Sequence, residues 1–408
     1  MFYKKRRIYL DYASATPVRK EARLAYEAAS SLVGNPGSIH KEGVEAKRVL
    51  EESRAAIAKE LGCKAREIIF TSGLTEANNL AILGTAQKIE REKGSLAGTH
   101  WIVSSIEHQS VLECFVEVER RGGKVTNIDP EANGVVSVQK VENALRKETV
   151  LVSIGWANSE IGTVQPIREI SFAIRAHPVR ETSSSNGAGE KKTRENIIFH
   201  SDAGQGPLYL SPEVHTLGVD LFSLGSGKLY GTRGIGALYV GKRCEVAPIT
   251  IGGGQERGWR AGTEAPALAA GFSTALQAAG GERHIEAVRL TRLRDQLAED
   301  LLARIPKSIV NGDMKRMLPH MLNISIPGIN SEYVVLALDR VGIAVSTKSA
   351  CSEGRLNESH VVAALPGGSE RARSTIRCSL GRDTTERDTF YFLDQLTEIL
   401  KKMPVREM

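Results

Sequence analysis

Short apolar runs of β type alternate along this chain with longer stretches of helical periodicity, and that alternation restricts its fold more than any other feature. Candidate strands fall at Glu67–Phe70, Trp101–Ser104, Val150–Ile154, Ile197–His200, Leu221–Leu224 and Gly236–Val240. Between them lie stretches such as Lys41–Leu61, where Val44, Val49, Leu50, Ile57 and Leu61 recur at helical spacing. Parallel strands need long crossovers, which helices supply, so the pattern implies an α/β fold with a mainly parallel sheet covered by helices. This large domain is expected over about residues 17–265. After a helical region near Ala265–Arg304 the pattern changes. His320–Ile326 and Ser374–Leu380 read as strands, with helices near Glu332–Val341 and Glu386–Lys401. A smaller α+β domain is therefore expected from residues 266–408 together with 1–16. Glu181–Arg194 is polar, Gly/Ser-rich and charged, and reads as a surface loop or a disordered insertion.

The 408 residues allow roughly two or three domains. A net charge of +6, from 54 basic and 48 acidic residues, is small for this length. It gives no ground for direct nucleic-acid binding, and the run Lys4–Arg7 reads as a solvated cluster. Cys63, Cys114, Cys244, Cys351 and Cys378 show no CxxC and no metal-ligand spacing. Such a sparse, odd set argues for a reducing compartment, with neither a disulfide framework nor a metal site. The basic N-terminus is not followed by an apolar segment, and the most apolar stretch, Ala265–Ala279, is broken by Ser273, Thr274 and Gln277. No secretion signal or membrane span is expected, and the protein reads as cytoplasmic.

Chemistry concentrates after the strands. Gly225-Ser226-Gly227-Lys228 follows the strand ending at Leu224. The small residues let backbone approach a ligand, and the lysine could clamp phosphate or act as an amine nucleophile. A P-loop would need Gly and Ser or Thr where Phe222 and Leu229 stand, so that version fails. Upstream, His200-Ser201-Asp202-Ala203-Gly204-Gln205 puts an acid at the end of an apolar strand. A buried Asp there needs a positive partner, and a protonated cofactor ring nitrogen is one. Phe70-Thr71-Ser72-Gly73-Leu74-Thr75 runs from a strand into a helix, whose free N–H groups suit a phosphate, although Ser/Thr there is also ordinary helix capping.

Further landmarks join these. Tyr9-Leu10-Asp11-Tyr12-Ala13 and Gly34-Asn35-Pro36 lie near the start, and Glu107-His108-Gln109-Ser110-Val111 and Asn158-Ser159-Glu160-Ile161-Gly162 in the middle. Gly252-Gly253-Gly254-Gln255, Arg260-Ala261-Gly262-Thr263, Ser349-Ala350-Cys351-Ser352 and Ile376-Arg377-Cys378 follow. In this order they resemble the NifS/IscS-type cysteine desulfurases, of the class V aminotransferase-like, pyridoxal-phosphate-dependent fold type I. The likeness covers nearly the whole chain and implies a seven-stranded sheet in the large domain.

The resemblance implies pyridoxal 5'-phosphate as cofactor, held covalently by Lys228, with Asp202 on its ring nitrogen and Gln205 near its phenolic oxygen. It implies His108 stacked on the ring as a proton shuttle. Leu74 (through its backbone), Thr75 and Ser226 would hold the phosphate, and Thr263 would reach it from the other subunit of a homodimer. Arg377 would clamp the carboxylate of L-cysteine, with Asn35 also at the substrate. Cys351, in the small polar run Val345–Arg355, would take the sulfur as a persulfide, releasing L-alanine. A sulfur-acceptor protein is then expected, either an iron–sulfur cluster scaffold or a tRNA-thiolating enzyme. The other cysteines read as buried small hydrophobes. Several positions depart from the family: Gly225 and Gly227 before the lysine, Ser159 where an Asn is usual, and Gln255 where a His is usual. These leave two alternatives open, another class V enzyme (a selenocysteine lyase or an aminotransferase) or a non-catalytic relative with an altered phosphate site.

Overall fold

A computed structural model describes residues 7–178, 180–185, 190–347 and 358–403. Seven strands form the central sheet: β1 (Ile68–Thr71), β2 (His100–Ser104), β3 (Lys124–Ile128), β4 (Thr149–Ser153), β5 (Ile198–Asp202), β6 (Leu221–Gly225) and β7 (Gly236–Val240). Their order is β1-β7-β6-β5-β4-β2-β3. All neighbours are parallel except β7, which runs against both β1 and β6.

Strict alternation along each strand explains why both faces are dry. Ile69, Trp101, Val103, Leu221, Leu238 and Val240 join one apolar cluster, with the helices Leu74–Lys93 and Gln109–Arg120. Ile68, Phe70, Ile102, Phe222, Leu224 and Ala237 join the cluster on the other face, with the helices Lys41–Glu60 and Ile167–Ala176. Strands covered on both sides read as continuous apolar runs, which made six of them visible in the sequence. The seventh, β3, is a partly exposed edge strand of sequence KVTNI, and its polar residues hid it.

The second core gathers Leu10, Leu322, Ile324, Val334, Ile376 and Phe392. Here Met321–Ser325 pairs antiparallel with Ile309–Val310 and Thr375–Ser379, and Ile8–Tyr9 runs parallel to Ile343–Ala344. One helix, Pro266–Arg304, joins the two cores: Ala269, Phe272 and Leu276 lie in the first, Leu290, Leu297 and Leu301 in the second. The expected loop at 181–194 is different. Arg180–Ser185 and Glu190–Glu195 pair as an antiparallel hairpin, so a polar composition concealed a strand pair. Among the described residues no helix is long and apolar enough to cross a membrane, and no cluster could hold a metal ion.

The fold places chemistry at one edge. β2, β4, β5 and β6 all end there, and the turns that follow carry Glu107–His108, Gly155–Ser159, Gly204–Gln205 and Ser226–Lys228. Ligands of open α/β sheets sit at this carboxyl edge.

A buried ion pair holds the neighbouring Gly252–Gly262 loop. Arg54 and Glu256 are both about 2% exposed and meet in a bidentate contact of 2.6 and 2.8 Å. Glu256 also accepts from Phe70 N at 3.0 Å, and Arg54 donates to Ile68 O at 3.0 Å. Glu256→Ala leaves Arg54 with only the half-exposed Glu51 and Ile68 O, so denaturant titration is expected to show a loss below the roughly 3–5 kcal/mol of an uncompensated buried charge.

Candidate active site

A small pocket opens at the carboxyl edge. Leu74, Glu107, His108, Asn158, Ser159, Asp202, Gln205 and Lys228 line it. Asp202, the last residue of β5, is 9% exposed. Its Oδ2 accepts from Asn78 Nδ2 at 2.7 Å and its Oδ1 from Gly204 N at 2.8 Å. Two N–H donors suit a charged carboxylate. Gly204 sits between the acid and the amine: a Cβ there would lie 3.1 Å from Asp202 Oδ1 and 3.6 Å from Lys228 Cδ. Lys228 Nζ donates to Ala13 O at 3.1 Å, and Gln205 Nε2 donates to the same carbonyl at 2.8 Å. The N-terminal segment thus reaches into the pocket.

His108 caps the helix Gln109–Arg120. Its Nδ1 accepts from Ser110 N at 3.1 Å and lies 2.8 Å from Ser110 Oγ. That fixes Nδ1 as the acceptor and leaves Nε2 to carry the proton of the neutral ring. Burial, with the charge of Lys228 beside it, lowers the His108 pKa, which keeps the ring neutral near pH 7.

The helix Leu74–Lys93 starts at Gly73 with no side-chain cap, so its first N–H groups face the site unclaimed by a capping side chain. Close approach needs glycine here. A Cβ at Gly225 would lie 2.9 Å from Leu74 Cβ, and one at Gly236 would lie 2.6 Å from Gly73 C. Ser226 Oγ is buried without a partner and faces Gly231, where a Cβ would lie 2.2 Å from it. Thr75 is exposed on the first turn.

Arg377 is 1% exposed on the strand Thr375–Ser379. It donates to Ser159 O at 2.9 Å, Asp11 Oδ1 at 2.7 Å and Ser14 Oγ at 2.6 Å, while its Nε has no partner. Asn35 and Thr263 are exposed and line no part of this pocket; Asn35 Oδ1 accepts from Gly37 N at 2.8 Å within its own turn. Gln255 Oε1 accepts from Gly262 N at 3.1 Å, which steadies the turn before Thr263. Cys351 lies outside the described residues. Burial pushes the Cys63 and Cys114 thiols up to about 12, and Cys244 and Cys378 higher, so none of these four is a ready nucleophile.

Sequence reasoning passed over several members of the site. Asn78 stands four residues after Leu74, one helical turn on, and a buried amide in an apolar helix face was the available signal. Glu107 is 5% exposed and adjoins His108. Ala13, Asp11 and Ser14 act across more than two hundred residues of chain, and no local pattern could show that.

Below the pocket, His200 is fully buried between Ser153 Oγ at 2.8 Å and Ser223 Oγ at 2.9 Å. Burial pushes its pKa down to about 4 from 6.5. Between these values the unfolded chain binds the proton and the folded one does not, so stability falls as pH drops below 6.5. Wild type is expected to lose about 2 kcal/mol more than His200→Gln between pH 7 and pH 5, read by urea titration.

The Aminotransferase class-V family matches residues 8–180 and 186–392, and the gap between the two matched stretches falls in the hairpin. The cysteine desulfurase IscS of Dictyoglomus turgidum is 40% identical over 403 residues, covering 98% of this chain and 96% of that one. The cysteine desulfurase IscS 1 of Archaeoglobus fulgidus is 37% identical over 398 residues, covering 97% of each. Among solved structures, a NifS-like protein superposes with a TM-score of 0.87 at 30% identity, over 98% of this chain and 100% of its own. SspA in complex with cysteine gives 0.75 at 33% identity, over 91% and 98%.

Proposed function

The chain belongs to the Aminotransferase class-V family, alongside relatives named cysteine desulfurase, and on that premise we propose that it takes sulfur from L-cysteine and releases L-alanine. The observation that carries this reading is the lining of one pocket by a lysine amine and a buried acid, Lys228 and Asp202.

The donor set fits pyridoxal 5'-phosphate. Lys228 offers the amine for its aldehyde, Asp202 an anion for its ring nitrogen, and Gln205 and His108 the flanks. The uncapped helix start at Gly73–Leu74 offers N–H donors for its phosphate. When bound, this cofactor acts as an electron sink that acidifies the substrate α-proton and weakens the Cβ–S bond.

The protein's residues do the rest. Arg377, anchored by Asp11, Ser14 and Ser159 with its Nε still unpartnered, is the guanidinium assigned to the substrate carboxylate. Neutral His108 moves a proton at Nε2, because Nδ1 is committed to Ser110. The Cys351 thiolate attacks the substrate sulfur, so an S–S bond forms as the Cβ–S bond breaks. A proton delivered to Cβ then completes alanine. The exposure of Thr263 supports a role toward the cofactor of a second subunit, hence a homodimer. From the persulfide, an acceptor protein would draw the sulfur.

Purified protein with added cofactor is expected to show a visible absorption band that sodium borohydride fixes, and Lys228→Ala should lose it with at least a thousandfold drop in alanine formation. Cys351→Ala should keep the band yet form no persulfide. A wild-type protein with no band would sink the reading, and alanine formation undiminished in Cys351→Ala would remove the thiol from the reaction.

A further inference from the structure

Glu107 has no part in the reaction above, yet it lines the pocket and is 5% exposed. Its Oε1 accepts from Gly155 N at 2.8 Å, and a Cβ on Gly155 would stand 2.8 Å from Oε2. The carboxyl is thus pressed against the backbone just beyond β4. No Lys, Arg or His among the described residues forms an ion pair with it. Around it stand Asp202 after β5, Lys228 after β6, His108 on its own loop, Glu160 beyond Asn158, and His360, whose Nε2 is 2.9 Å from Glu107 O.

Two acids therefore share one water-poor pocket, and their surroundings are unequal. Asp202 receives two N–H donors and shares the pocket with an amine. Glu107 receives one backbone N–H and the Ser104 hydroxyl, and is the more deeply buried of the two, 5% exposed against 9%. Like charges so placed do not both ionise cheaply, and the better-solvated acid keeps the charge.

We propose that Glu107 is a positioning residue that works as a neutral acid, pinning Gly155 while leaving Asp202 as the anion that faces the cofactor. The direction of its titration agrees: burial first, with the charge of Asp202 added, pushes its pKa up to about 8. The proposal rests on the cofactor reading of this pocket, so its test carries one arm that does not need the cofactor's spectrum.

Glu107→Gln mimics the neutral acid and Glu107→Ala removes it. At pH 6.5 the holoenzyme of Glu107→Gln is expected to match wild type in visible band and in cysteine turnover, while Glu107→Ala falls at least tenfold. Between pH 7 and 9 wild type should show an extra inflection in the band that Glu107→Gln lacks. In the second arm, unfolding is measured against pH. A group neutral when folded and ionised when unfolded loses a proton on unfolding, so stability falls as pH rises from 4.5 toward the folded value. The wild-type unfolding constant should then rise about tenfold per pH unit relative to Glu107→Gln between pH 5.5 and 7.5. Parallel curves, or a turnover shift above threefold in Glu107→Gln at pH 6.5, overturn the proposal. A missing band in wild type fails the cofactor reading instead, and the unfolding arm still decides the state of Glu107.

Discussion

The charge on Asp202 organises this molecule. A carboxylate nearly closed off from water costs several kcal/mol unless donors and a cation meet it. The fold supplies two donors from distant parts of the chain, Asn78 from the first helix after β1 and the Gly204 amide from the next turn, while the Lys228 amine lines the same pocket and donates to Ala13 O. Each donor is placed by an element whose own burial is independent of the site. In the same pocket burial drives a second acid, Glu107, toward its neutral form.

A second requirement is closeness. The start of the helix Leu74–Lys93 must approach the ends of β6 and β7 to within van der Waals contact, and Gly225 and Gly236 permit it. Arg377 shows a different design. Three acceptors fix its guanidinium before any ligand arrives, so little rotamer freedom remains to be lost on binding.

Much of this was legible beforehand. Apolar runs marked six of the seven sheet strands, because strands buried on both faces carry little else. The edge strand Lys124–Ile128 escaped, since solvent on one side lets Lys124 and Asn127 stand among its apolar residues. The hairpin around 180–195 escaped for a related reason: its polar composition carries no burial signal, and it shows only as backbone pairing. Within the site, Lys228 stood out after a strand in a run of small residues and Asp202 at the end of an apolar strand, while His108 entered only through the resemblance. Glu107 and Asn78 did not, because their significance lies in what surrounds them.

What the amino-acid sequence determined by itself was the order of elements, the α/β architecture and the family, all of which rest on local periodicity and on motifs a few residues long. Tertiary structure alone decided that Ala13 meets Lys228, that Asp11 and Ser14 hold Arg377, and that Glu256 closes on Arg54. These partners are separated by about two hundred residues or more, and charge and hydrogen bonding act through space over a few ångströms. Which acid keeps its proton is settled by that three-dimensional company, for the dielectric and the donors around a carboxyl are properties of the packed molecule.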